Sequence, residues 1–277
     1  MTSVTPLTTP DALARRKAGS DRTLRAAARF WWIAAAVGQA MFLVYIIGVY
    51  APPVISGQLA NWPKMIVGYV AGDTVGNLAV GVHMMVAAIV TFGGALQLVP
   101  QIRSRAPAVH RAIGRVFLVA AFIAALGGLW MVWVRGATLS PANTYGVSGN
   151  AILILGFGAL AWRTAMRRDF VSHQRWAMRT FIVANGVWFL RVGAIGIGAA
   201  SVPLGLKLDQ EAFFDVMVFG SYLIPLAILE IYFAVRASKG AGPRFAMAGG
   251  LTLATLVMSV GIVGAWFVLF APELAKA

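Results

Sequence analysis

The sequence predicts an all-α fold, a polytopic bundle of seven transmembrane helices with the N-terminus inside and the C-terminus outside. Three observations carry that expectation. Seven long apolar stretches alternate with short polar gaps. Only 12% of the residues are charged, about half the share in a soluble domain. Most of the arginine and lysine falls in every second gap.

The first 27 residues are polar and carry Pro6, Pro10, Arg15, Arg16 and Lys17. Such a stretch cannot bury a core and reads as a disordered basic cytoplasmic tail. A single membrane domain over 28–270 follows. Crossing the hydrocarbon takes about 20 helical residues, and the apolar runs place the spans near 28–50, 77–99, 113–135, 148–166, 177–200, 213–235 and 245–270. The first is too long, and starts too late, for a cleaved signal segment, so it is expected to remain as a helix. Residues 51–76, with Pro52, Pro53, Gly57, Trp62, Pro63 and Asp73, have room for a short interfacial helix, while 136–147 and 201–212 are short loops. Pro225 predicts a kink in the sixth span, and 271–277 is a short outer tail.

Orientation follows from charge. The tail, the gap holding Arg103, Arg105, Arg111 and Arg115, the gap running from Arg163 to Arg179, and the gap with Arg236, Lys239 and Arg244 together hold eighteen of the 23 basic residues. The positive-inside rule puts these on the cytoplasmic side. The net charge of +14 is then topogenic, so the expected partner is the lipid bilayer, with other membrane subunits possible and no nucleic acid. Composition rich in Ala, Gly and Arg fits a multi-pass protein of the bacterial inner membrane. The absence of cysteine excludes disulfides and thiolate metal sites.

Two segments echo one another. GALQLVPQIRSRAPAVHRAIGRVFLVA starts at Gly94 and GALAWRTAMRRDFVSHQRWAMRTFIVA at Gly158. Each ends one helix, crosses a basic gap, places a histidine (His110, His173) and opens the next helix. The hairpins 77–135 and 148–200 are candidates for a parallel repeat; two positive-inside hairpins would also look alike without duplication.

Polar residues within the spans are the functional candidates, because burying them in lipid is costly. His83 and Gln97 share a face with Ala87, Val90 and Gly94; Asn185, Trp188 and Arg191 follow at steps of three; Asp215, Tyr222 and Glu230 lie on one stripe. Three such stripes predict a common cleft. Depth sorts its groups into an outer layer of His83, Arg191 and Asp215 and an inner layer of Gln97, His110, Arg115, His173, Arg179 and Glu230. Arg191 calls for an anionic partner: a ligand group, or Asp215 in a purely structural ion pair. His110 and His173 are each followed one turn later by a small residue, Gly114 or Ala177, which leaves room for a flat ligand. A pair of facing histidines is the minimum for bis-imidazole haem ligation, with Arg115 and Arg179 beside them for the propionates. Both histidines can equally cap loops or meet lipid phosphates. No residue set assigns catalysis.

HRAIGRVF at 110–117 and HQRWAMRTF at 173–181, together with His83 and Arg191, resemble a bacterial family of predicted membrane proteins of unknown function with HRxxGR-type and HxxWMxR-like motifs. Here one residue separates Trp176 from Met178 where the motif has them adjacent. The resemblance implies a multi-pass inner-membrane protein and brings no activity or cofactor. Three functions stay open: a haem- or quinone-linked redox protein, with haem b at His110 and His173 and a second site at His83 and Arg191; a transporter or proton-coupled permease built on His83, Arg191, Asp215 and Glu230; and a non-catalytic subunit or assembly factor.

Overall fold

The structure, a computed structural model, describes residues 10–62 and 68–276. Expectations that rest on Pro6, Pro63, Lys64 or Ala277 lie outside the described residues. Helix α1 covers Pro10–Ile55, α2 Thr74–Gln97, α3 Pro100–Arg105, α4 Pro107–Trp133 and α5 Pro141–Met166. They are followed by α6 Phe170–Ala184, α7 Gly186–Ser201, α8 Gln210–Ala237, α9 Ala241–Ala265 and, beyond a π-helical stretch Trp266–Phe270, α10 Ala271–Leu274. Among the described residues seven helical segments are long and apolar enough to cross a membrane, so the protein is an all-helical, multi-pass membrane protein in contact with lipid.

Helix starts follow from local chemistry. Asp73, Asp169 and Asp209 each accept a backbone N–H three residues on, from Gly76 (2.8 Å), Ser172 (3.1 Å) and Ala212 (2.8 Å), and Ser140 accepts from Asn143 (3.1 Å). Each satisfies an N–H that the first turn leaves without a partner. Pro100, Pro107 and Pro141 open α3, α4 and α5, where a missing N–H costs nothing.

Two sequence expectations are corrected. The stretch 10–27, expected to be disordered, is the first part of α1. Ser20, Leu24 and Ala27 give it a buried face at helical spacing, Leu24 and Ala27 pack against Ala248 and Leu251, and Asp21 accepts from Arg244 Nε at 2.8 Å. The expected fifth span 177–200 is split at Asn185 into α6 and α7. Asn185 leaves helical geometry (φ −96, ψ 13) and its side-chain amide donates to the Phe181 carbonyl at 2.8 Å, a local bond that competes with the helix ladder.

Packing closes a circuit in the order α1, α2, α4, α5, α8, α7, α9 and back to α1. The split span changes neighbours at its break: α6 packs on α5 and α8, α7 on α9 and α8. The α7–α9 crossing is close, for Gly261 meets the Val192 carbonyl and Gly196 that of Val257, the small-residue contact that lets membrane helices approach. Between α1 and α2, where an interfacial helix is expected over 51–76, the described residues form a single 3-10 turn, Leu59–Asn61, followed by Trp62, which is buried and donates to the Tyr50 carbonyl at 3.3 Å.

Candidate functional site

Where span five breaks, the bundle leaves a cavity of about 50 Å³. Phe42 of α1, Thr91 of α2, Ala124 of α4, Ile154 of α5 and Asn185, Val187 and Trp188 of the split span line it. Val187, 50% exposed, lines this cavity from mid-span.

Arg191 lies one turn beyond Val187 and is half-buried. Its Nη1 donates to the Val187 carbonyl at 3.1 Å and its guanidinium stands 5.4 Å from the centre of the Phe42 ring. The Tyr45 and Tyr50 phenols are within electrostatic reach, and Phe270 stacks on Tyr45 at 4.7 Å. Among the described residues no carboxylate pairs with Arg191. Asp215, the structural partner considered from sequence, instead accepts from Ser140 Oγ at 2.7 Å. Glu273, within electrostatic reach of Tyr50, pairs with Lys276 at 2.6 Å.

His83 lies on α2 one turn before Ala87, which lines the cavity. Its ring faces the Ala124 carbonyl and the glycine pair Gly127 and Gly128 of α4, and its Nδ1 is buried without a hydrogen-bond partner. Three further buried polar atoms around the break lack partners: Trp188 Nε1, Gln39 Nε2 and Asn150 Oδ1. Trp188 lines the cavity, Gly38 beside Gln39 abuts the Trp188 ring, and the Asn150 amide lies against Gly186. Tyr222 of α8 is buried, its hydroxyl against Gly149. His83 and Arg191 each lie about 14–15 Å along their helices from the same end of the bundle, at a similar depth on α2 and α7. Sequence reasoning missed Gln39, Tyr45, Tyr50 and Asn150. A polar residue inside the first apolar run was the available signal for Gln39, and the i, i+5 tyrosine pair was too ordinary to stand out.

The inner layer is a different arrangement. Arg179 forms a two-pronged ion pair with Glu230 (2.6 and 2.7 Å) and stacks on Trp176 at 4.5 Å. Glu230 is therefore not part of the cavity, and Arg179 is not open to a propionate. Arg115 is exposed on the outside of α4. The room expected beside Gly114 is filled by the Gln97 side chain, whose Oε1 would stand 3.1 Å from an added Cβ and whose Nε2 donates to the His110 carbonyl at 3.0 Å. His110 and His173 are within electrostatic reach of one another, His110 Nδ1 is unpartnered, and His173 Nδ1 bonds the Ala161 carbonyl at 2.9 Å. The residues at this end do not fit a haem: the slot beside Gly114 is occupied and Arg179 is engaged by Glu230. The two echoing hairpins are clamped at matching positions, Gln97 to His110 in one and His173 to Ala161 in the other, with the side-chain and backbone roles exchanged.

At the other end a polar latch joins α2 to α4. The buried Arg135 side chain donates to Asp73 Oδ2 at 2.8 Å, to Asn77 Oδ1 at 3.1 Å and to the Gly68 carbonyl at 3.1 Å. The Gly76 N–H, followed by the Arg135 guanidinium, holds the Asp73 carboxyl below the usual carboxylate range.

Residues 80–233 match the family model described as "Predicted membrane protein (DUF2306)", more than half of the chain, and the chain belongs to that family. The matched segment includes His83, Asn185, Arg191 and Tyr222, while Gln39, Phe42, Tyr45 and Tyr50 come from α1 outside it. No curated protein and no solved structure matches the chain.

Proposed function

We propose that this protein binds a small organic anion within the membrane at Arg191 and carries it across as a proton-linked permease. The observation that carries the reading is Arg191 itself: a guanidinium deep in the span, flanked by aromatic rings, with no carboxylate partner among the described residues. An unpaired cation in lipid is costly, and a carboxylate ligand would supply both the charge and the two-pronged geometry that a guanidinium favours. The surrounding unpartnered donors, Trp188 Nε1 and Gln39 Nε2, suit the same acceptor. His83 stands one turn from Ala87 of the cavity wall, and an imidazole can take up and release a proton, which suits a proton partner. A helix interrupted at a mid-membrane cavity is the recurrent construction of transporter sites. On this reading the basic loops and N-terminus face the cytoplasm of a bacterial inner membrane, as the positive-inside pattern requires.

The test is uptake of a panel of monocarboxylates into proteoliposomes loaded with a pH-sensitive dye. Anion-dependent proton entry that Arg191→Met abolishes and Arg191→Lys partly keeps is the expected result. Absence of flux for the whole panel, together with no thermal stabilisation by any member, would sink the proposal. The same unpartnered donors would also serve a neutral quinone carbonyl. Thermal stabilisation by a quinone analogue that survives Arg191→Met would favour that redox reading instead.

A further inference from the structure

Far from the Arg191 site, a groove of about 660 Å³ runs down the outer surface between α1 and α9. Thr23, Ala26 and Phe30 line it from α1, and Phe245, Gly249 and Leu253 are among the residues that line it from α9. Its floor is made of small residues, Ala27 and Ala248, both buried. Its upper end is level with the Asp21–Arg244 ion pair. From Phe245 to Leu256 it descends about 16 Å along the helix, and the exposed side chains Leu253 and Leu256 mark this depth as hydrocarbon.

The rim of the groove is cationic. Ala26 lies one turn from both Arg22 and Arg29 on α1, and Arg25 is adjacent; all three arginines are exposed and none is in an ion pair among the described residues. Only Arg244, on the facing helix, is already neutralised, by Asp21. An apolar slot of acyl-chain depth beneath unpaired arginines has the charge and shape of an anionic phospholipid. We infer that the α1–α9 groove is a specific site for an anionic phospholipid, with one acyl chain along Ala26, Gly249 and Leu253 and the phosphate held by Arg22 and Arg29. Basic pockets between helices recognise such headgroups by this combination, and here the site would reinforce the packing of the first part of α1 on α9.

The experiment is native mass spectrometry of the full-length, delipidated protein titrated with dioleoyl phosphatidylglycerol or dioleoyl phosphatidylcholine, which share acyl chains. Wild type is expected to prefer phosphatidylglycerol, and Arg22→Gln/Arg29→Gln to lower that preference by about 30-fold, the combined effect of two arginines at an anionic surface. Gly249→Leu places a side chain where an added Cβ meets nothing within 4 Å, so it fills the groove without disturbing the helix pair and should weaken both lipids. Equal binding of the two lipids by wild type would overturn the inference. So would an unchanged preference in the arginine variant, or a dimer that Gly249→Leu dissociates while lipid binding is untouched, which would make the groove a contact between two copies.

Discussion

Replacing Arg191 by methionine should stabilise the protein. An arginine in the middle of a membrane helix costs about 2.5–3.5 kcal/mol. Against this stand the cation–π contact with Phe42 at 5.4 Å, which returns about 1 kcal/mol, and the bond to the Val187 carbonyl at 3.1 Å, which returns about 1 kcal/mol more. Arg191→Met removes the cost and both returns, a net gain of roughly 1 kcal/mol and a rise in Tm of about 2–4 °C. Arg179→Met provides the contrast in the same assay. Arg179 is paired with Glu230 at 2.6 Å, the two side chains being 17% and 45% exposed. Discounted for solvent screening, losing the pair and the Trp176 stacking should cost about 1–2 kcal/mol. Thermal unfolding of both variants in one detergent, without added ligand, therefore gives shifts of opposite sign. If Arg191→Met lowers Tm as far as Arg179→Met does, Arg191 is compensated within the protein and the argument for a ligand there fails.

Further expectations concern the framework of the site. Asn185→Ala removes the bond to the Phe181 carbonyl at 2.8 Å from a buried position, and should cost about 1–3 kcal/mol in thermal unfolding. Gly261→Ala drives a Cβ into the Val192 carbonyl, a backbone atom that cannot give way, so the α7–α9 crossing must open; the expected result is loss of the monodisperse folded fraction on size-exclusion chromatography, whereas Gly250→Ala, where an added Cβ meets nothing, leaves it intact. Asp73 titrates below its ordinary value because Gly76 N–H and Arg135 stabilise the carboxylate. A depressed carboxyl contributes stability that is present above the unfolded-state value near pH 4 and is lost as pH falls through the folded value. Wild type should therefore lose stability through this acid window, and Asp73→Asn, less stable at pH 7, should show a flatter acid limb in unfolding followed against pH.

The seven spans were legible because hydrocarbon thickness sets their length and twenty apolar residues are hard to mistake. Their ends were not, since helices such as α5 and α8 continue past the apolar run to a capping residue, Ser140 or Asp209. Arg15, Arg16 and Lys17 made the start of the chain look unfoldable, but Ser20, Leu24 and Ala27 give that stretch a face, and a face becomes visible only once α9 is there to cover it. Asn185 was read as one member of a polar stripe; that it breaks the helix depends on its amide bonding Phe181, which spacing does not show. The stripe on α8 misled in another way. Asp215, Tyr222 and Glu230 do share a helical side, yet along 28 residues that side meets three environments: Ser140 at one end, the wall of the bundle in the middle, and Arg179 at the other end. A shared face does not make a shared site when its members are spread over such a length.

Phe181 connects the break to the question of passage. Gly94 of α2 is packed against Phe117 of α4 and Phe181 of α6, both rings 3.1 Å from an added Cβ, and this contact closes the bundle on the side of the cavity nearer the basic loops. An anion passing from the cavity towards the basic loops would meet these rings, so a permease must at some stage part them. Phe181 is also the residue whose carbonyl the Asn185 side chain holds, so a change in the angle between α6 and α7 and the opening of the aromatic contact would be one movement. An alanine at Gly94 tests that coupling. Its Cβ is tight against two ring edges but meets no backbone, so the fold should tolerate it while the rings lose the slack needed to part. Gly94→Ala should then leave Arg191-dependent anion binding within about twofold of wild type, which is roughly 0.4 kcal/mol, and reduce proteoliposome flux by at least about tenfold. Flux and binding that fall together would place the effect on the site rather than on the path, and flux that is unchanged would mean the anion does not pass between Phe117 and Phe181.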